Sequence, residues 1–312
     1  MMSTENNTLI HYKPETNFDV EKRLKAQRRW KIIRNIFVYA FLTFFAIFAI
    51  FPFYWMVMTS FKTEVEARQS DVTFFPKVIE WKNYSYALSS NEGGFKFTIV
   101  NTLVVGFSST ILGLIITIIT AFAFAKLEFK GKNLLFTLLL GTMMIPGELY
   151  TTTNFITITN LKWTDTYIVM ILPFLVSIFY IYLLRNTFMQ VPDSLYKAAK
   201  VDGCGNVKYL IKVMVPLAGP TIISITLLKF IGAWNSYIWP RLVNSSSGTM
   251  EWLLLSNWVT GSFTHPDFSG ADAAASTIKM AASCMVSIPL LIIFICFRKY
   301  IMRGVSKSGT KG

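Results

Sequence analysis

The chain has 312 residues, 53% of them apolar and only 15% charged, where a soluble domain carries about a quarter charged residues. With a mean hydropathy of +0.47 it has too little polar surface to cover a water-soluble globule, so lipid is the expected solvent. A net charge of +13 raises nucleic acid as a partner, and the placement of the charges decides that question.

Residues 1–34 read as a basic tail. A helix needs about 20 apolar residues to cross a bilayer. Asn35 to Phe61 carries no charge, and neither does Phe97 to Ala125. Asn133 to Gly147 is shorter and ends at Met143-Met144-Ile145-Pro146, which predicts a third span that is broken or irregular. Tyr167 to Leu184 predicts a fourth span, and Val213 to Pro240 a fifth, interrupted by Lys229. Met280 to Phe297 predicts a sixth, starting earlier in the Ala-rich stretch after Gly270. The expected fold class is therefore an all-α integral membrane protein with six transmembrane helices.

Cys204, Cys284 and Cys296 show neither a disulfide framework nor zinc spacing. The first apolar run lies behind a long basic tail and is too long for a cleavable signal. Loops that would share the side of the termini hold 21 basic and 7 acidic residues, and those opposite hold 7 and 10. That bias predicts cytoplasmic N and C termini and attraction to anionic lipid, and it removes nucleic acid as a partner. The opposite loop 241–277, with a flexible Ser245–Gly248 patch and the aromatics Trp252, Trp258, Phe263 and Phe268, reads as interfacial anchoring or as a contact for an external partner.

The most informative stretch lies in the cytoplasmic loop 185–212. Pro192-Asp193-Ser194 is a helix start and Gly203 a helix stop. A second helix from Asn206 would set Val207, Leu210, Ile211 and Met214 on one apolar face, with Lys208 and Lys212 elsewhere. Pro216 and Pro220 mark re-entry into the membrane. Two short helices about a Gly turn make a knob, and Ala198-Ala199 would allow close approach of another surface. Spacing alone fits equally an amphipathic connector lying on lipid headgroups.

The segment Lys197-Ala198-Ala199-Lys200-Val201-Asp202-Gly203, followed by Pro216, resembles the Glu-Ala-Ala coupling loop of binding-protein-dependent ABC importer permeases. Phe122-Ala123-Phe124-Ala125-Lys126-Leu127-Glu128-Phe129-Lys130-Gly131, Met143 to Pro146, Trp234-Asn235 and the ending Gly304 to Gly312 resemble the carbohydrate-uptake branch, with Ser308 where its middle Gly would stand. The resemblance implies a type I permease domain over 35–312, in a bacterial cytoplasmic membrane. It implies a second permease, two ATPase subunits and an extracytoplasmic sugar-binding protein as partners. This chain would bind no cofactor, ATP and Mg being used by the ATPase; no nucleotide loop is present in it. The implied coupling residues are Lys197, Ala198, Ala199, Asp202, Gly203 and Pro216. Lys197 departs from the family's usual Glu, so the polar half of that contact is lost or reversed onto an acidic partner.

Charge inside a membrane is rare and usually functional. Lys229 reads either as a structural Lys paired with a polar group or as a cation on the substrate path, the latter suiting an acidic, uronate-containing oligosaccharide. Trp234 and Asn235 could stack on and hydrogen-bond a sugar or simply anchor an interface. Glu148 lines an outer mouth or marks the end of a span. A polyol or sugar-phosphate cargo, or a secondary transporter, stands as the alternative; secondary transporters often carry intramembrane carboxylates, and these spans have none at their centres. A membrane enzyme is disfavoured because His11 and His265 form no metal-spaced or nucleophilic cluster.

Overall fold

Apolar stretches of this length satisfy their backbone in lipid only as helices, because no water is there to take the N–H and C=O groups. A computed structural model describes residues 17–89, 94–244, 253–268 and 275–306, and helix is the only extended regular structure among them. The Ser245–Gly248 patch, Trp252, His11, the Ala-rich stretch 271–274 and the last six residues of the Gly304–Gly312 ending lie outside the described residues. Two compact units divide the chain, residues 1–55 and 56–312.

The first unit holds most of α1 (Asn17–Ser60). This helix begins at Asn17, within the basic tail and well before the apolar run. Aromatic pairs one turn apart line it, Phe41 with Phe45 at 4.5 Å and Phe51 with Trp55 at 6.2 Å between centroids, the spacing at which helical side chains meet.

The second unit begins with α2 (Glu64–Arg68) and α3 (Lys82–Ser89). Asn83 Nδ2 ties them back by donating to the Ser60 and Lys62 carbonyls at 3.0 and 2.8 Å. Next comes α4 (Gly94–Lys126), unbroken. Its buried side includes Thr102, Gly106, Ser109, Thr110, Gly113, Thr117 and Ala121, a stripe of small residues that lets neighbouring backbones come close. A Cβ on Gly106 would stand 3.0 Å from the Phe230 ring. Helix α4 is accordingly the centre against which α8 and α12 pack.

The third span is broken, as Pro146 requires: α5 (Lys132–Thr142) meets a 3₁₀ turn (Gly147–Tyr150) and α6 (Thr151–Asn160) at 83°. The expected continuous fourth span is broken too. α7 (Tyr167–Ile171) runs through a 3₁₀ turn (Leu172–Phe174) into α8 (Ile178–Met189) with a 45° bend. Pro173 has no N–H to give, and its ring crowds the carbonyl one turn back.

After α8 come α9 (Asp193–Val201), α10 (Asn206–Tyr209), a π-helical turn (Leu210–Met214) and α11 (Val215–Leu217). The chain then turns by 83° at Ala218 into α12 (Gly219–Trp234). The fifth apolar run is thus not one helix from Val213 to Pro240. Its crossing part is α12, opened by Pro220 and closed before α13 (Ile238–Val243). α14 (Leu255–Val259) and α15 (Ser276–Ser306) complete the unit. Among the described residues three helices are long and apolar enough to cross a membrane, Gln27–Ser60, Gly94–Lys126 and Ser276–Lys299, and counting each of the three bent pairs as one span brings the candidates to as many as six.

The start of α15 is held from a distance. The Glu64 carboxylate accepts from the Thr277 N–H and hydroxyl at 3.0 and 2.8 Å, from the Ser276 N–H at 3.2 Å, and from Arg68 Nε at 2.9 Å. A carboxylate at a helix N-terminus satisfies otherwise orphaned donors and suits the helix dipole. Burial alone would raise the Glu64 carboxyl, but these hydrogen bonds together hold it below its ordinary value.

Candidate functional site: a helical knob and an intramembrane cavity

Helix α9 opens after Pro192 and closes in a Schellman turn. Cys204 N–H donates to the Ala199 carbonyl at 2.8 Å and Gly203 N–H to Lys200 at 3.1 Å. Gly203 sits at φ +71°, in the left-handed region where a Cβ is disfavoured. Across the turn, Tyr196 donates its hydroxyl to Asn206 Oδ1 at 2.8 Å and sets its ring edge-on against Tyr209 at 5.1 Å. One aromatic side chain thus locks α9 to α10.

The face expected on the second helix is corrected. Leu210 and Met214 are buried together with Tyr209, whereas Val207 is 69% exposed and Ile211 is also exposed. The π-helical turn at 210–214 rotates the stripe, and burial of Tyr209 against Tyr196 and Phe122 selects which residues face inward. The apolar residues left outside are Leu195, Val201 (87% exposed), Val207 and Ile211. Lys197, Ala198, Asp202, Gly203 and Pro216 are exposed as well, and Ala199 is half-buried.

The knob is fastened to α4. Lys126, buried, donates through Nζ to Asp193 Oδ1 and to the Val191 carbonyl, both at 2.6 Å. Asp193 lies at the first turn of α9; the hydrogen bond and charge of Lys126 hold its carboxyl below the usual carboxylate range. Nearby, Arg185 donates Nε to the Phe124 carbonyl at 3.1 Å and lies 4.1 Å over the Phe136 ring. The Phe122–Gly131 stretch therefore ends α4, anchors α9 and supplies Phe122 and Phe124 to the core shared with α8 and Tyr209.

A cavity of about 420 Å³ opens between α4, the α7–α8 break and α12, lined among others by Ser109, Ser177, Tyr180, Lys229 and Ser236. Lys229 Nζ donates to the Leu175 and Phe174 carbonyls at 3.2 and 3.4 Å and lies 5.4 Å from the Tyr180 ring centroid. Those carbonyls close the 3₁₀ turn between α7 and α8, where the helical ladder ends before α8 begins at Ile178. The cost of a Lys in mid-span, about 2.5–3.5 kcal/mol on insertion scales, is partly offset inside this chain. Gly113 makes room: a Cβ there would lie 2.5 Å from Lys229 Nζ and 2.7 Å from the Leu175 oxygen.

The remaining candidates lie elsewhere. Trp234 is 3% exposed, packed on Phe230 and among the core residues of α3, α14 and α15, and it is not among the residues lining the cavity. Asn235 is exposed at the end of α12, and Glu148 is exposed in the turn after Pro146. The sequence reading passed over Gly113, Tyr180, Ser177 and the Lys126–Asp193 pair. Two signals were present: Gly106 and Gly113, seven residues apart in one span, and Pro173 inside another.

Comparison with known proteins converges on one class. Residues 113–307 match the family of binding-protein-dependent transport system inner membrane components. An arabinooligosaccharide transport system permease protein of Halalkalibacterium halodurans is 29% identical, over 86% of this chain and 94% of its own length. A polygalacturonan/rhamnogalacturonan transport system permease protein of Bacillus subtilis (strain 168) is 27% identical, over 89% and 98%. A chain of a bacterial ABC transporter involved in the import of the acidic polysaccharide alginate superposes with a TM-score of 0.74 at 24% identity, over 87% and 98%. The fold is that of a type I ABC permease, a membrane-embedded transport subunit. The chain belongs to the binding-protein-dependent transport system inner membrane component family.

Proposed function

We propose that this chain forms half of the translocation pathway of an ATP-driven oligosaccharide importer in a bacterial cytoplasmic membrane, with both termini cytoplasmic. A second permease completes the pathway, an extracytoplasmic binding protein delivers the sugar, and two ATPase subunits supply the ATP and Mg chemistry. The observation that carries the reading is the α9–α10 knob, rigidly fastened to α4 through Lys126 and Asp193 yet presenting Val201, Val207 and Ile211 bare to solvent. A surface that is rigid on one side and apolar on the other suits the transmission of a partner's movement into the span. Coupling in this reading runs through Lys197, Ala198, Ala199, Asp202, Gly203 and Pro216. The sugar-transport relatives at 27–29% identity over most of the chain support an oligosaccharide cargo.

The test is reconstitution of the whole transporter with Gly203→Val or Ala199→Trp. A Val at φ +71° costs on the order of 1–2 kcal/mol of backbone strain, and a Trp at the half-buried Ala199 would force α9 away from the core beneath it. Both are expected to lower sugar uptake at least tenfold while the subunit still inserts in the membrane. Unchanged uptake and unchanged sugar-stimulated ATP hydrolysis would remove the docking assignment.

A further inference from the structure

The cavity holds a cation without an anion. Lys229 is 8% exposed, and among the described residues no carboxylate lies within 4.0 Å of it. Its two carbonyl acceptors stand at 3.2 and 3.4 Å and carry no formal charge, whereas a carboxylate would be drawn in to about 2.7–2.9 Å. Neutral dipoles offset part of the cost of burying the charge, and no anion among the described residues balances it. The chain nevertheless makes room for it, because only a glycine at 113 leaves space for the ammonium and the Leu175 carbonyl together.

We infer that Lys229 is the carboxylate-binding group of a subsite for an acidic sugar unit, formed by Lys229, Ser177 and Tyr180 in the cavity beside Gly113. This rests on the importer reading given above. The charge count favours a carboxylate: among the described residues Lys229 is the one cationic residue in the lining, so a monoanion is matched while a phosphate dianion leaves a charge over. The remaining wall suits a sugar ring. Ser177 and Ser236 border the space with polar atoms, while Pro173 and Val176 offer apolar surface to ring C–H groups. At about 420 Å³ the space falls within the usual range of small-ligand sites, about 300–1,000 Å³. On binding, Lys229 exchanges two long carbonyl contacts for a charge-assisted hydrogen bond to the sugar carboxylate, with no proton transferred.

The experiment uses the complete transporter, purified with its partner permease and ATPase, and compares digalacturonate with galactobiose, which differ in C6 carboxylate against hydroxymethyl. Equilibrium binding to the wild type is expected to favour the acid at least tenfold, with Lys229→Met bringing the two affinities within twofold and Lys229→Arg keeping a preference. Gly113→Ala, which pushes the ammonium aside, should shrink the preference without touching the charge. Equal binding of the two sugars by the wild type, no binding of either, or an acid preference that survives Lys229→Met overturns the subsite. Uptake into vesicles supplied with the binding protein keeps the two readings apart. ATP-driven uptake of a neutral oligosaccharide without any acid preference sinks only the subsite, whereas a transporter that moves no sugar at all sinks the importer reading.

Discussion

At the residue scale, the most constrained position is Gly113. The tip of Lys229 could swing away from a new methyl group, but the Leu175 carbonyl, 2.7 Å from that Cβ position, belongs to a backbone held by α7 and α8. Gly113→Ala should therefore destabilise the subunit by about 1–3 kcal/mol, the usual cost of overpacking, seen as a lower thermal midpoint of the purified complex. Gly141, with nothing within 4 Å of its Cβ position, serves as the tolerant control. Glu64 makes a pH prediction. Its carboxyl is lowered in the folded chain, so its contribution is fully present above the ordinary value of 4.5 and is lost as pH falls through the lower, folded value. Amide protection in the first turn of α15, taken as the intrinsic exchange rate over the observed rate at each pH, should be flat through neutral pH and fall only in acid below about 4.5. Glu64→Ala should abolish that dependence and cost about 1–3 kcal/mol, because the buried Thr277 donors then lack an acceptor.

At the element scale, each broken helix has its own cause. Pro146 ends α5, and Pro173 separates α7 from α8. Pro216 and Pro220 flank the turn into α12. The α7–α8 break leaves the last carbonyls of its 3₁₀ turn, those of Phe174 and Leu175, to receive Lys229, so an interruption in one span and a Lys in another answer each other. Helix α9 makes a second prediction. Lys197 is exposed beside Ala198, where the resembling family has Glu, so an ATPase matched to this chain should present an acidic residue. Lys197→Glu is expected to reduce the ATPase that co-purifies with the subunit, more at low salt than at high salt because screening weakens exposed charge pairs. An acid-to-Lys exchange on the ATPase should restore it. No change at either salt concentration would retire the reversed pair and leave the helical dock in place.

At the scale of the whole molecule, orientation is the open quantity, and it is checked with the native thiol at Cys204. Cys204 is partly exposed beside the Gly203 turn. In intact cells an impermeant thiol reagent should spare it, and should modify a cysteine placed at the exposed Asp71, in the loop after α2. The opposite labelling pattern would invert the topology and with it the side on which the knob meets an ATPase.

What the sequence by itself determined is set by solvent and by local backbone chemistry. Lipid demands apolar runs of a given length, so an all-helical chain with up to six candidate spans was readable from Asn35 onward, as was the break at Pro146. The Asp193 start and the Gly203 stop depend on residues next to one another, and both fell where the turn geometry needs them. What only the tertiary structure decided involves residues far apart in the chain. Placement of Val207 and Ile211 outside, against Leu210 and Met214 inside, follows from Tyr209 meeting Tyr196 and Phe122, which periodicity cannot see. Burial of Trp234 in the core rather than along the cavity follows from which side of α12 meets α3, α14 and α15. The setting of Lys229 needed three separate elements at once: the carbonyls at the α7–α8 break, the gap left by Gly113 and the ring of Tyr180. A charge in a span announces that something must answer it; only packing brings the answering groups within 3.2 Å.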